Sequence, residues 1–186
     1  MPNWMRQALE IRGKFEDVDK FLSRIGEGRE SDREDHLFID FDRLIPQPKD
    51  IYNGPIGKDE RIMLEKTKRP DWYTWNTKNW GTKWNANWQE LKYTKDGTAV
   101  LMFETAWSLP IPIYNALLQL IRKDFPNITI YGEYLEESYD CGGCLFFSDK
   151  VDELHEINTN YIVGQDNEVI NAFTDQEGNE FEFKYV

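Results

Sequence analysis

The feature that most constrains the fold is a hairpin signal followed at once by a helix bounded by prolines. Two runs rich in apolar residues flank Thr94-Lys95-Asp96-Gly97, and an Asp-Gly pair favours a tight turn between antiparallel strands. Pro110 and Pro112 are placed to open a helix, since proline fits the first turn, and Pro126 forces its end. The predicted elements are strands at 91–93 and 100–105, a helix at 110–125 and a strand at 128–135.

The first part of the chain shows the same succession of strand and helix. Apolar residues at near-alternate positions predict a strand over residues 3–11. Residues 15–25 repeat apolar side chains at spacings of three and four, acidic residues enrich the first turn, and Gly26 stands at the C-cap position. Residues 37–41 are then predicted to form another strand, which two prolines bring to an end.

The order of these elements predicts an α+β fold of ferredoxin-like type. This is a split βαβ sandwich, an antiparallel sheet with two helices on one face. A length of 186 residues with 40% hydrophobic content suits one core. We therefore expect a single domain, 1–186, with a core at about 2–137, an insertion at about 47–78 that holds a short helix, and a C-terminal β extension at about 138–186. The extra C-terminal strands are expected to widen the sheet or to cover part of it.

The charge of the chain bears on its partners. The net charge is −12, from 34 acidic and 22 basic residues, which disfavours duplex DNA and anionic membrane surfaces as ligands. An acidic protein more naturally meets a basic partner, so an unknown protein partner is expected. No apolar run approaches the roughly 20 residues that span a bilayer, and the first residues lack the apolar stretch of a signal peptide. A cytoplasmic location is expected.

Four segments, taken in order, match one known pattern: Pro2-Asn3-Trp4, residues 41–48 (FDRLIPQP), residues 79–86 (NWGTKWNA) and residues 105–110 (TAWSLP). Together they resemble the YubB-type ferredoxin-like domain family of bacterial plasmids and phages, over about three quarters of the chain. The tryptophan pair that brackets Gly-Thr-Lys is the most specific part. Met5 stands where the family usually has cysteine. The resemblance implies a ferredoxin-like fold and a mobile-element origin, and it carries no catalytic residues over.

Tryptophan is concentrated in one basic window. Five of the seven tryptophans lie between residues 58 and 95, where nine basic and five acidic residues give +4 and leave −16 for the rest of the chain. Indole faces among lysines and arginines are typical of surfaces that stack bases and neutralise phosphates. A site for a small ligand, a nucleotide or a single strand is one interpretation. The alternative is that the indoles cover a sheet face, the commoner fate of large aromatic residues.

The candidate binding residues lie in and near the segment 79–86. Read as a strand, this segment turns its tryptophans to one side and its polar residues to the other. Gly81 would then admit a close ligand, Lys83 would hold an anion and the flanking asparagines would orient it. The alternative is a plain sheet strand with a glycine bulge. The candidate residues are Asn79, Trp80, Gly81, Lys83, Trp84, Asn85 and Trp107.

The chain has two cysteines, Cys141 and Cys144. Two thiolates at this spacing can grip a metal ion or form a redox pair. There is no second pair, and His36 and His155 have no ligand spacing to each other. Free structural thiols in a turn are therefore favoured over a local disulfide or a metal site. Acidic clusters at Glu133-Glu137 and beyond lack a calcium-loop pattern, so we expect a solvated acidic face there.

No phosphate loop, nucleophile elbow or zinc-protease motif is present in the sequence. We therefore expect no enzyme, no cofactor and no bound metal. The sequence favours a noncatalytic accessory protein of a phage or plasmid that binds a host or element-encoded macromolecule. The alternative is small-ligand, nucleotide or single-strand nucleic-acid binding in the tryptophan-rich basic region, and a nuclease or hydrolase with a divalent ion stands third.

Overall fold

The computed structural model describes residues 3–27, 37–93, 98–138 and 141–150, together with the backbone of three short strands after them. The elements, in chain order, are β1 (Trp4–Arg12), α1 (Phe15–Ile25), α2 (Phe41–Leu44), α3 (Lys58–Thr67), α4 (Trp72–Asn79), β2 (Asn87–Tyr93), β3 (Ala99–Ala106), α5 (Ile111–Asp124), β4 (Thr129–Glu136), β5 (Gly142–Phe147), β6 (His155–Thr159), β7 (Ala172–Thr174) and β8 (Glu180–Glu182).

Six strands form one antiparallel sheet in the order β2-β3-β1-β4-β5-β6. In its middle, Leu9 of β1 pairs with Leu101 of β3 on one side and with Gly132 of β4 on the other. The C-terminal strands β5 and β6 lie beyond β4 and so widen the sheet, which is one of the two arrangements expected from the sequence. Strands β7 and β8 pair with each other. The protein is therefore a mixed α+β structure.

One face of the sheet carries the core. Alternate residues of neighbouring strands, such as Leu9, Leu101 and Leu145, are buried in a single hydrophobic cluster, because successive strand residues point to opposite faces. Both long helices join this cluster through residues spaced by three and four, as the sequence predicted. These helix residues are Val18, Phe21, Leu22 and Ile25 of α1 and Ile113, Tyr114, Leu117, Leu118 and Ile121 of α5.

A buried polar network crosses this core. The side-chain amide of Gln7 on β1 donates to the hydroxyl of Thr105 on β3 at 2.8 Å and to the carbonyl of Met5 at 3.1 Å. Its Oε1 accepts from the hydroxyl of Tyr114, a fully buried residue of α5. Because each polar atom of Gln7 has a partner, the network fixes α5 against two strands without an orphaned group.

The elements predicted in the second part of the chain are confirmed as β2, β3, α5 and β4, whereas the turn predicted at Asp96-Gly97 lies outside the described residues. The predicted first strand and first helix are confirmed as β1 and α1, and the short helix of the insertion is α3. Within the described part of the chain, no helix is long and apolar enough to cross a bilayer.

The strand predicted at 37–41 is wrong. The segment instead passes beside the end of α1, where the amide of Asp40 donates to the carbonyl of Ile25 at 2.8 Å, and then forms the short helix α2. Gly26 permits this approach, since a Cβ there would lie 2.1 Å from the carbonyl oxygen of Phe38. A short apolar run is buried equally well as a strand or as a core loop, and periodicity alone does not distinguish the two.

Replacing Tyr114 with phenylalanine is expected to lower the free energy of unfolding by about 1–3 kcal/mol, because the buried Oε1 of Gln7 loses this donor. Urea denaturation followed by circular dichroism measures the change. The matched control is Tyr73→Phe, since Tyr73 is 38% exposed and should change stability by less than about 0.5 kcal/mol. Equal stability of the two variants would contradict a stabilising role for the network.

Candidate functional site

The candidate segment 79–86 follows a helix and is not a strand. Helix α4 begins at Asp71, whose carboxylate accepts from the third helical amide at 2.8 Å. The amides of Trp80 and Gly81 both donate to the carbonyl of Asn76, at 2.7 and 3.2 Å, and so end the helix. Gly81 has φ +80°, which favours glycine at this position. The interpretation as a strand with two alternating faces is therefore wrong.

Trp80 is a core residue. Its side chain is 4% exposed, and its indole N–H donates to the carbonyl of Ile45 at 2.9 Å. The ring meets Phe41 and Trp75 edge to face, with centroids 5.9 and 5.6 Å apart. Such contacts fill the core and satisfy the indole donor at once. For Trp80, the structure agrees with the packing alternative rather than with a binding wall.

Asn79 and Gly81 hold the chain as it leaves α4. The side-chain Nδ2 of Asn79 donates to the backbone carbonyl of Trp75 at 2.8 Å. The carbonyl of Gly81 accepts from the hydroxyl of Ser108 at 2.6 Å, and a Cβ on Gly81 would lie 2.8 Å from Cδ of Pro112. The glycine therefore admits the start of α5, where the sequence interpretation had placed a ligand.

Asn85 also stabilises the backbone. Its Oδ1 accepts from the amide of Phe41 at 2.9 Å, and its Nδ2 donates to the carboxylate of Asp40 at 2.8 Å. Gln89, four residues further along the chain, has the same role for Ile39. Its side chain accepts from the backbone amide of Ile39 at 2.8 Å and donates to the carbonyl of Ile39 at 3.0 Å. These two side chains satisfy the backbone of a segment that has no strand partner there. Gln89 was not among the candidate residues from the sequence. The only sequence signal for it is a second carboxamide side chain four residues after Asn85.

Three of the candidate residues, Lys83, Trp84 and Trp107, lie together, with Trp107 exposed and the other two partly buried. The ammonium of Lys83 lies 4.1 Å from the ring centroid of Trp84 and 5.0 Å from that of Trp107. Lys83 forms no ion pair with the residues that the structure describes. Its charge is therefore met by two indole rings, the arrangement known as a cation–π interaction.

Trp107 is presented to solvent by an unusual backbone. Its side chain is 45% exposed, and its φ is +75°. A bulky residue rarely adopts this left-handed conformation, which costs about 1–3 kcal/mol. The amide of Trp107 donates to the carbonyl of Asn3 at 2.8 Å, which holds the conformation in place. An exposed indole gains little from packing, so the strain points to a role for the ring at the surface.

The aromatic contacts continue on both sides of Lys83. The ring of Trp84 lies 6.1 Å from that of Trp4, and the ring of Trp107 lies 6.3 Å from that of Tyr73. Tyr73 in turn meets Trp72 edge to face at 5.8 Å. The candidate set from the sequence did not include Trp4, Trp72 or Tyr73; of these, Trp4 comes from a distant part of the chain. We call this set the aromatic strip: Trp4, Trp72, Tyr73, Lys83, Trp84 and Trp107.

The expectation that the two cysteines lie in a turn is wrong. Cys144 belongs to β5, and its Cα is separated from that of Cys141 by roughly 10 Å if the intervening chain is extended, too far for a disulfide. Both are free thiols, Cys141 exposed and Cys144 buried. Burial, above all, raises the pKa of Cys144 to about 11. Burial and the contact with Cys144, at 2.9 Å, raise the pKa of Tyr131.

The expectation of a solvated acidic face is wrong at two positions. Glu133 and Glu136 are both buried, on a strand that lies between β1 and β5. One carboxylate oxygen of Glu136 accepts from the amide of Ser138 at 2.8 Å. Among the residues that the structure describes, no group of three histidine, cysteine or acidic side chains could hold a metal ion.

Comparison with known proteins adds one structure. No family model matches the chain, and no curated protein matches it. The crystal structure of the protein api92 from Yersinia pseudotuberculosis, described with the family model DUF1281, is similar to this chain with a TM-score of 0.51. The similarity covers 87% of this chain and 100% of that chain, at 9% sequence identity. At this identity the likeness concerns the fold alone.

Trp80 and Trp107 are expected to respond differently to the same substitution. Trp80→Phe should lower the free energy of unfolding by about 2–3 kcal/mol, because it removes buried volume and leaves the carbonyl of Ile45 without its donor. Trp107→Phe should change it by less than about 0.5 kcal/mol. Urea denaturation of both variants measures the difference. A larger loss for Trp107→Phe would contradict the division into a core residue and a surface residue.

The two thiols are expected to react at very different rates. At pH 8 a chromogenic disulfide reagent should modify Cys141 quickly, whereas Cys144 should react only when urea unfolds the chain, because the thiolate is the reactive form. The thiol of Cys144 has a higher pKa in the folded chain, about 11, than in the unfolded chain. Between the two pKa values the unfolded chain has lost the thiol proton and the folded chain has kept it. The contribution of Cys144 to the free energy of unfolding therefore falls as the pH rises through that window. Cys141→Ser should abolish the fast phase. Rapid reaction of both thiols in the folded protein would contradict the burial of Cys144.

Proposed function

We propose that this chain is a noncatalytic binding protein and that the aromatic strip binds single-stranded nucleic acid, with single nucleotides as the smallest ligands. The observation that carries the proposal is the pair of indoles around the ammonium of Lys83, with Trp107 exposed in a strained conformation. Flat rings beside a cation match the two parts of a nucleotide, a base that stacks and a phosphate that pairs with a positive charge.

Binding proceeds by exchange at Lys83. In the free protein its ammonium lies against Trp84 and Trp107, and an exposed cation–π contact contributes only about 0.5–1 kcal/mol. A base that stacks on Trp107 gains roughly 1–3 kcal/mol. When a nucleotide binds, the base replaces the ammonium of Lys83 on the ring of Trp107, and the ammonium pairs with the adjacent phosphate. This replacement is favourable because stacking contributes more than the cation–π contact that is lost. A duplex keeps its bases stacked inside, so the strip favours a single strand.

The fold class and origin form part of the proposal. In the order β2-β3-β1-β4, strand β3 lies between β1 and β2, and β1 lies between β3 and β4. Helices α1 and α5 connect the two separated pairs, and this supports a ferredoxin-like split βαβ sandwich. The four matched segments support membership of the YubB-type family and a phage or plasmid origin. Three of those segments contribute Trp4, Lys83, Trp84 and Trp107 to the aromatic strip.

A basic protein partner is the second candidate. The observation in its favour is the charge of −16 that remains outside the tryptophan-rich window, since complementary charge steers association. Such a partner would meet the acidic part of the chain and leave the aromatic strip open. Binding of a basic protein that persists in a Trp107→Ala variant but weakens steeply as salt is added would favour this candidate.

A short fluorescein-labelled oligothymidylate is expected to bind the wild-type protein at low salt, read by fluorescence anisotropy. Trp107→Ala should weaken binding by about 1–3 kcal/mol, because it removes one stacking platform. Trp88→Ala is the matched control, since Trp88 is the more exposed indole, at 59%, yet lies outside the aromatic strip. Its affinity should stay within about twofold of wild type. A duplex of equal length should bind more weakly.

Two results would overturn the proposal. One is the absence of binding by the wild-type protein at low salt. The other is an equal loss of affinity in Trp107→Ala and Trp88→Ala, which would indicate that any exposed indole serves and that the aromatic strip has no special part.

A further inference from the structure

A cleft of about 740 Å³ opens between α3 and α4. Its walls carry both aromatic and basic side chains. Tyr73 and Trp75 of α4 contribute rings, and Arg61, Lys68 and Lys78 contribute cations. The volume lies within the range of about 300–1,000 Å³ that is typical of small-molecule sites. Neither composition nor a motif assigns a ligand to this cleft, so its chemistry has to be inferred from its lining.

The charges of the cleft are not all available to a ligand. The guanidinium of Arg69 donates to the carbonyls of Asp50 and Ile51, at 2.6 and 3.2 Å. The carboxylate of Asp71 is used by the start of α4, where it accepts from the amide of Thr74 at 2.8 Å. The remaining charged residues of the lining are Arg61, Lys68, Lys78 and Glu65, which together carry a net positive charge.

The three cations are unneutralised within the part of the chain that the structure describes. Arg61, Lys68 and Lys78 form no ion pair with a described carboxylate. Beside one remaining carboxylate, that of Glu65, the three cations leave a positive excess, and an excess of one sign on concave walls concentrates oppositely charged ligands. An anion with several negative oxygens is therefore the ligand that this lining favours.

The backbone of Lys68 gives a second reason to expect an anionic ligand in the cleft. This residue stands at the C-cap of α3 with φ +52°, a conformation that helices usually assign to glycine or asparagine. A lysine there carries backbone strain, since its Cβ is disfavoured at a positive φ. Glycine would remove that strain, and it would also remove a cation from the wall of the cleft.

The cleft and the aromatic strip share a residue. Tyr73 lines the cleft, and its ring meets that of Trp107 at 6.3 Å. We propose that the cleft binds the phosphates of the same strand whose bases stack on the aromatic strip, through Arg61, Lys68 and Lys78. This inference rests on the proposed function and extends it, because it assigns the backbone of the strand to a separate, electrostatic subsite.

Inorganic tripolyphosphate tests the cleft without any contribution from base stacking. Isothermal titration calorimetry at low salt is expected to detect binding to the wild-type chain. Lys68→Gly and Lys78→Gln should each weaken it by about three- to tenfold, because each removes one cation. Lys66→Gln is the matched control, since Lys66 lies on α3 but does not line the cleft. This control and Trp107→Ala should bind tripolyphosphate as wild type does.

The salt dependence of oligothymidylate binding gives the second readout. Lys68→Gly and Lys78→Gln should each reduce the slope of log affinity against log salt by roughly 0.7, whereas Trp107→Ala should lower affinity with the slope unchanged. Thermal denaturation should show Lys68→Gly to be at least as stable as wild type, which separates lost binding from lost folding.

The inference is overturned if tripolyphosphate fails to bind, or if Lys68→Gly and Lys78→Gln bind it as Lys66→Gln does. In that case oligothymidylate binding that still depends on Trp107 leaves the proposed function standing. If tripolyphosphate binding depends on Lys68 and Lys78 but no oligothymidylate binds, the proposed function fails and the cleft stands as an independent polyphosphate site.

Discussion

The arrangement of the surface depends on how one buried segment without strand partners satisfies its backbone groups. Residues 39–41 lie in the core, and unpaired amides and carbonyls there would be costly. The carboxamides of Asn85 and Gln89 bond these groups, and the indole of Trp80 bonds the carbonyl of Ile45 just beyond. The inner side of the loop 80–86 is thereby fixed to the core. Its remaining side chains, Lys83 and Trp84, are left at the surface, so the same contacts that complete the core also position the aromatic strip.

Much of the framework could be predicted from the sequence, since it depends on local signals. The prolines around α5 and the spacing of apolar residues in α1 act over one or two turns. The strand expected at 37–41 failed because its pairing partners are side chains from 50 residues away, which no local pattern encodes. The site was predicted in part for the same reason. Lys83, Trp84 and Trp107 were found by composition, but the burial of Trp80 and the approach of Trp4 follow from long-range packing.

Among the residues that the structure describes, three other than glycine have a positive φ, and they have different physical explanations. Trp88 lies in the part of β2 where the pairing with β3 shifts register between Asn87 and Glu90, and a bulge accounts for its conformation. Trp107 and Lys68 have no such sheet irregularity. One presents an indole in the aromatic strip and the other presents a cation in the cleft. The Trp107 conformation is held by its hydrogen bond to the carbonyl of Asn3, and that of Lys68 ends helix α3, although neither position carries the glycine that this backbone favours.

The acidity of the chain does not oppose an anionic ligand at these surfaces. Some of the carboxylates lie far away, as in Glu10, which is buried and ion-paired with Arg12. Glu10 lies six positions after Trp4 on β1, a distance of roughly 20 Å along the strand. At physiological ionic strength charges are screened over about 8 Å, so an anion at the cleft would respond mainly to the charges that line it, among them Arg61, Lys68, Lys78 and Glu65. The net charge of −12 therefore describes the chain as a whole and does not set the sign of the field at this cleft.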